Sequence, residues 1–125
     1  ITFNGTHPDL NVFRVSGVDM NRANSVYINA PAGSTVLINI DGTTDQMMNF
    51  GFFLSGVNRQ HVLYNFYQAT TLTLSNIGVE GSILSPQANI SFNNGSLWGQ
   101  LIGNSFVGAG ELDYAMFAGC VPVSP

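Results

Sequence analysis

Along residues 71–106 the apolar and polar positions recur every 18 residues. When TLTLSNIGVEGSILSPQA (71–88) is set over NISFNNGSLWGQLIGNSF (89–106), Leu72 falls on Ile90, Leu74 on Phe92, Val79 on Leu97 and Ile83 on Leu101. Asn76 falls on Asn94 and Gly81 on Gly99. Within each copy, apolar residues alternate with polar ones in short runs, and Asn or Gly stands at the bends, which is the pattern of short half-buried strands. Three such segments per repeat predict a coil that turns three times and stacks in parallel on its neighbour. Stacking brings equivalent positions together across about 4.8 Å, so Asn76 and Asn94 are expected to form an amide ladder at a bend. An antiparallel sandwich also uses short strands, but it gives no reason for a register kept over the whole repeat.

The pattern loosens towards the N-terminus. VYINA (26–30), TVLINID (35–41) and HVLYNF (61–66) read as strands, and QMMNFGFFLSG (46–56) as strand or irregular packing in preference to a helix. FFLSGVNRQHVLYNFYQA (52–69) fits the repeat only with insertions, so irregular coils are expected there. No 3.6-residue periodicity is sustained anywhere. The expected fold is all-β: a single-stranded parallel β-helix (β-solenoid) with about 18 residues per coil in its clearest part, right-handed by the crossover rule. One domain is expected over 1–125, with an irregular cap at 1–25 and a cap and tail at 107–125.

Charge narrows the partners. Only 8% of residues are charged, against about 25% in ordinary soluble domains. There is no lysine, the arginines are Arg14, Arg22 and Arg59, and the formal net charge is −4. A nucleic-acid groove or an anionic membrane surface calls for a basic patch that this chain lacks. Fourteen asparagines and 14 glycines supply turns instead. So weakly charged a surface offers little repulsion to self-association. Cys120 is the sole cysteine, so no internal disulfide can form. Whether it pairs with another chain or stays a free thiol is left open. No apolar run is long enough to span a membrane. The chain begins at Ile1, which is read as a processed or excised product, so the lack of a leader does not argue for the cytoplasm. Asn4, Asn89 and Asn94 stand in N-glycosylation acceptor triplets, relevant if the source is eukaryotic.

No catalytic constellation emerges. His7 and His61 are the only candidate bases, and neither sits in a motif. Glu80 has Trp98 as its stacked equivalent, so the repeat brings no second carboxylate to it for glycoside chemistry. Asp41 and Asp45 flank a turn and could hold calcium with backbone oxygens, but the spacing of a calcium loop is incomplete and plain turn acids are favoured. Glu111 and Asp113 lie near the expected cap. No enzyme activity, cofactor or metal site is therefore expected. The candidate ligand or partner patch is acidic and aromatic: Tyr64, Tyr67, Glu80 and Trp98. The alternative packs Trp98 under a loop. Thr71 and Thr73 align with Asn89 and Ser91, so no threonine array repeats and ice binding is less favoured.

Residues 62–114 resemble the choice-of-anchor A domain family of bacterial extracellular surface proteins. The similarity rests on Asn65-Phe66, Ala69 through Asn76, Gly81 through Leu84 with Pro86, and Phe92 through Gly95 with Gly99 and Gln100; VLINIDGTT (36–44) is similar upstream. Ser85 replaces a usual alanine, and Leu112-Asp113-Tyr114 replaces a frequent His-Asn-Tyr. The chain looks like the C-terminal portion of such a domain, or a shortened member of the family. The resemblance implies a secreted or surface-displayed β-helical module. The expected function is a non-enzymatic extracellular structural or adhesive module, assembling end to end into a surface or matrix fibre. The alternative is a carbohydrate- or protein-binding adhesin domain, with a polysaccharide-acting enzyme less favoured. Expected partners are copies of itself, other surface or matrix proteins, and glycans; no nucleic acid and no membrane span are expected.

Overall fold

The computed structural model describes residues 1–121. The order of elements is β1 (Thr2–Asn4), β2 (Leu10–Val15), α1 (Gly17–Asn21), β3 (Ser25–Ala30), β4 (Thr35–Ile40), β5 (Thr44–Met48) and β6 (Gly51–Gly56). A 3-10 turn at Arg59–His61 leads to β7 (Val62–Phe66), β8 (Thr71–Glu80), β9 (Ser82–Trp98), β10 (Leu101–Val107) and β11 (Glu111–Asp113). All of these strands join one parallel sheet, which curls into a nearly closed, solenoid-like body. The chain visits three faces in turn. The first stacks β1, β3, β6, the end of β8, the end of β9 and β11. The second stacks β2, β4, β7, the start of β9 and the start of β10. The third stacks β5, the start of β8, the middle of β9 and the end of β10, with α1 packed against β5.

Alternation along each strand sends every second residue inward. Val26, Phe52, Val79 and Leu97 line the first face from within, Ile38, Tyr64 and Ile83 the second, and Leu72, Leu74 and Ile90 the third; all are buried. The pairing of β8 with β9 sets Leu72 opposite Ile90, Leu74 opposite Phe92, Val79 opposite Leu97 and Glu80 opposite Trp98, an offset of 18 residues. Lower windings are longer. Thr2 pairs with Tyr27 and Tyr27 with Phe53, offsets of 25 and 26, and Thr44 pairs with Thr71, an offset of 27. The extra residues sit in the corners. Between the first and second faces the chain spends Val57–His61 in winding three but little more than Gly81 in winding four. Gly81 turns there with φ 138°, and a Cβ on Gly99, one winding on, would collide with the Gly81 carbonyl oxygen. Single-glycine corners let the upper windings shorten.

The corner from the third face to the first holds an asparagine ladder. Asn49, Asn76 and Asn94 adopt φ of 62°, 50° and 55°. Asn76 Nδ2 donates to Asn49 Oδ1 at 2.9 Å, and Asn94 Nδ2 donates to Asn76 Oδ1 at 3.2 Å. Asparagine tolerates this left-handed backbone because its short amide finds local hydrogen bonds.

The ends differ. Residues 1–25, expected as an irregular cap, carry β1, β2 and α1, and Phe3 packs on Phe13 at 5.3 Å while Met20 is wholly buried. This end is closed. At the other end the residues expected to cap do not cover the core. They add β11 and a strap, residues 114–121, that runs back along the side. Phe117 N–H donates to Gln100 Oε1, Ala118 N–H to the Gln60 carbonyl and Cys120 N–H to Thr35 Oγ1. Cys120 is a free, exposed thiol. Residues 122–125 of the expected tail lie outside the described residues.

Candidate functional site

Each strand of the first face turns alternate side chains to solvent, and one outward line is aromatic. Tyr27 pairs with Phe53 in register. Continuing the Gly51–Gly78 pairing by two residues sets Phe53 beside Glu80, which pairs with Trp98, and Trp98 with Asp113. The line therefore reads Tyr27, Phe53, Glu80, Trp98, Asp113, one residue per winding. At roughly 4.8 Å per winding, Tyr27 to Trp98 spans about 14 Å. Tyr27 and Phe53 are 44% and 53% exposed, and their rings stack at 5.0 Å and 21°. Exposed apolar side chains also occur elsewhere, chiefly at the C-terminal end, but here they align in register on one outward line, which marks this face.

The neighbouring outward line is small: Ser25, Gly51, Gly78 and Ser96. A Cβ on Gly51 would stand 3.2 Å from the Phe53 ring, so the absent side chain lets that ring lie down over the strand. The ridge thus has a shallow shelf beside it.

Arg59 completes the far half. The 3-10 turn, capped by Asn58 Oδ1 accepting from Gln60 N–H, projects its guanidinium over the face. Arg59 Nε approaches Glu80 Oε2 at 2.7 Å, and its Cζ lies 4.5 Å from the Trp98 ring centre. Burial raises the Glu80 pKa and the Arg59 charge opposes it. A half-exposed pair of this kind contributes about 0.5–1 kcal/mol, so its main consequence is to fix the orientation of Trp98 through the cation–π contact. A recess of about 410 Å³ between Phe53, Asn58, Arg59 and Glu80 presents both apolar and polar walls.

Of the sequence-derived patch, two members are neighbours on the surface and two are not. Glu80 and Trp98 are brought together. Tyr64 is not on the surface: it is fully buried, packs edge-on to Phe52 at 5.3 Å, and donates its hydroxyl to the Glu80 carbonyl at 2.9 Å. Burial, with Glu80 nearby, drives its pKa well above the ordinary phenol value. Tyr67 is exposed, but β7 separates it from the Arg59 corner by five strand residues, roughly 16 Å. Period-two alternation starting from Val62 would have placed Tyr64 inside. Tyr27, Phe53 and Arg59 escaped the sequence reading because the 18-residue repeat does not extend to their windings.

The other candidates resolve as follows. His7 Nδ1 accepts from the Asp9 and Leu10 N–H groups and shapes a loop. His61 ends the 3-10 turn with Nδ1 buried and unpartnered. Asn4, Asn89 and Asn94 are exposed, and each engages a neighbouring amide. Asp45 is not a surface turn acid: it faces inward opposite Leu72, is 2% exposed, and neither carboxylate oxygen has a partner. Burial first and the Asp41 charge second raise its pKa to about 6. Among the described residues no three His, Cys, Asp or Glu side chains cluster as a metal centre, and no helix is long and apolar enough to cross a membrane.

A family model described as "Putative Ice-binding-like adhesive domain" matches residues 1–114. No curated protein and no solved structure matches the chain.

Proposed function

Since the chain belongs to the ice-binding-like adhesive domain family, we propose that it is an extracellular adhesin module that grips a neutral glycan along the Tyr27–Phe53–Trp98 ridge. The observation that carries this reading is the stacked, half-exposed Tyr27–Phe53 pair in the same outward line as Trp98. Aromatic faces stack on the apolar faces of sugar rings while polar neighbours satisfy the hydroxyls. Arg59 supplies donors and Glu80 acceptors at the ridge's far half. The scarcity of cations argues for a neutral ligand over a polyanion. The work is done by surface shape, and no catalytic step is assigned.

The threonines of the third face do not support ice as the ligand. Thr44 and Thr71 are followed in register by Asn89 and Ser105, so the methyl-bearing array stops after two windings. The solenoid-like winding is read as a single-stranded, right-handed β-helix, and the resemblance of 62–114 to choice-of-anchor A domains is read as kinship in surface display.

The test is calorimetry of the chain with neutral β-linked oligosaccharides of increasing length. Binding is expected to strengthen up to the length of the ridge, and Phe53→Ala and Trp98→Ala should each weaken it about 10-fold or more with the fold intact. Equal affinity in both variants, or no binding by any neutral glycan, refutes the ridge.

A second reading has its own observation. Leu101, Phe106 and Leu112 stand in register above Ile83, Ile90 and Leu97, one on each face. The lower three are at most 1% exposed, whereas Phe106 and Leu112 are 56% and 59% exposed. An uncovered core storey beside unpaired strand edges is a surface for another β edge. The closed N-terminal end offers no matching open storey, so we infer that a second copy meets this end with its own.

A further inference from the structure

Asp45 presents a problem of charge that the fold does not solve internally. Its side chain faces the interior from β5, at the joint where the segment Ser16–Gly17 crosses the turn 41–45. It is buried, both carboxylate oxygens lack any partner, and the ion pair found among the described residues is elsewhere, between Arg59 and Glu80. Two glycines let its Oδ1 lie close against the backbone. A Cβ on Gly17 would collide with Asp45 Oδ1 and stand 2.5 Å from the Asp41 carbonyl oxygen. A Cβ on Gly42 would stand 2.6 Å from the same Oδ1. Gly42 has φ 97°, a conformation that turns the chain back over this spot. The Asp45 carboxylate and the Asp41 carbonyl thus both approach the point where a Gly17 side chain would begin.

Asp41 adds a second carboxylate. Its Oδ1 accepts from Gly17 N–H at 2.9 Å, which ties the two segments together and leaves its other oxygen uncommitted. Asp41 is exposed, so the joint opens to solvent on its side. A buried carboxylate is retained in charged form only where a cation or several donors offset its desolvation.

We propose that Asp45 and Asp41 hold a calcium ion in the turn of the second winding, at the joint where Ser16–Gly17 of the N-terminal winding crosses it. The ligands are the Asp45 carboxylate, the Asp41 carbonyl and the free Asp41 carboxylate oxygen, with water completing the shell from the exposed side. Calcium accepts six to eight oxygens in flexible geometry, which suits a partial protein shell; magnesium demands a stricter octahedron.

The test titrates calcium chloride into the metal-free chain at pH 7.5, by calorimetry and by thermal unfolding, with Asp45→Asn alongside. Asn keeps the shape and removes the charge, so the variant is expected to fold. At a hundredfold excess over Kd, calcium should raise Tm of the native chain by roughly 10 °C, with one ion bound, magnesium giving a smaller rise and Asp45→Asn giving none. Absence of heat and of a Tm shift in the native chain would falsify the site. An equal response from Asp45→Asn also overturns it, since the ion then binds elsewhere.

Discussion

Asp45 illustrates how a single side chain can be expensive in one protonation state and harmless in another. Its folded pKa of about 6 lies above the ordinary 3.8 because burial, then the charge of Asp41, disfavours the anion. A raised carboxyl pKa means that the folded state binds the proton more tightly than the unfolded chain. Without metal, the stability that protonated Asp45 contributes should therefore be fully present below about pH 4 and be lost as pH rises through 6. Asp45→Asn removes that dependence. In a chelator it should unfold at a higher temperature than the native chain at pH 7, by roughly 1–2 kcal/mol, and the gap should close by pH 4. Parallel thermal melts across that range measure it. The burial of Asp45 was not legible in the sequence: Asp-Gly-Thr-Thr-Asp reads as an exposed turn, and only the crossing of Ser16–Gly17 covers its last residue.

At the scale of elements, corners carry more information than strands. The strands of the upper windings could be read because Gly81 and Gly99 keep the corners to a minimum, which preserves one spacing in sequence. In the lower windings the strands keep their inward and outward alternation, but loops of different length in the corners shift the spacing from 18 to 25–27. The ladder of Asn76 and Asn94 was visible for the same reason, while Asn49, 27 residues before Asn76, was not. Asn76, at the middle of the ladder, combines a left-handed backbone with amide bonds to both neighbours. Asn76→Ala loses both and should cost about 1–3 kcal/mol in urea unfolding. Asn76→Gly keeps the backbone and should cost less. The same loss of spacing explains why Tyr27 and Phe53 stayed outside the sequence-derived patch, although each sits at an outward position of a strand that was itself foreseen.

The whole molecule is asymmetric along its axis, with a sealed end built from Phe3, Phe13 and Met20 and an open end built from Leu101, Phe106 and Leu112. If copies meet at the open end, association stops at two, because the sealed ends face outward; a fibre needs two adhesive ends. Sedimentation of the chain over a concentration series should then show a monomer–dimer equilibrium without larger species, and Phe106→Glu should leave only monomer by placing a charge in the joint. Filaments, or a dimer unchanged in the variant, count against this arrangement. The expected all-β parallel architecture was accessible from one repeat because a stacked sheet dictates similar residues at each storey. Which end is sealed depends on the packing of residues 1–25, whose mixed pattern contained no repeat.

The strap over residues 114–121 also bears on what tension does to such a module. Its amides are fastened in sequence to Gln100, Gln60 and Thr35, progressively nearer the N-terminal end. A pull on the chain beyond the strap, directed back towards the open end, reaches the Thr35 fastening first and peels the attachments singly, each at low force. Only after the slack is spent does load arrive at β11 and the sheet. An adhesive contact tethered this way lengthens before it strains, so brief tugs are absorbed outside the core and the gripping face keeps its shape.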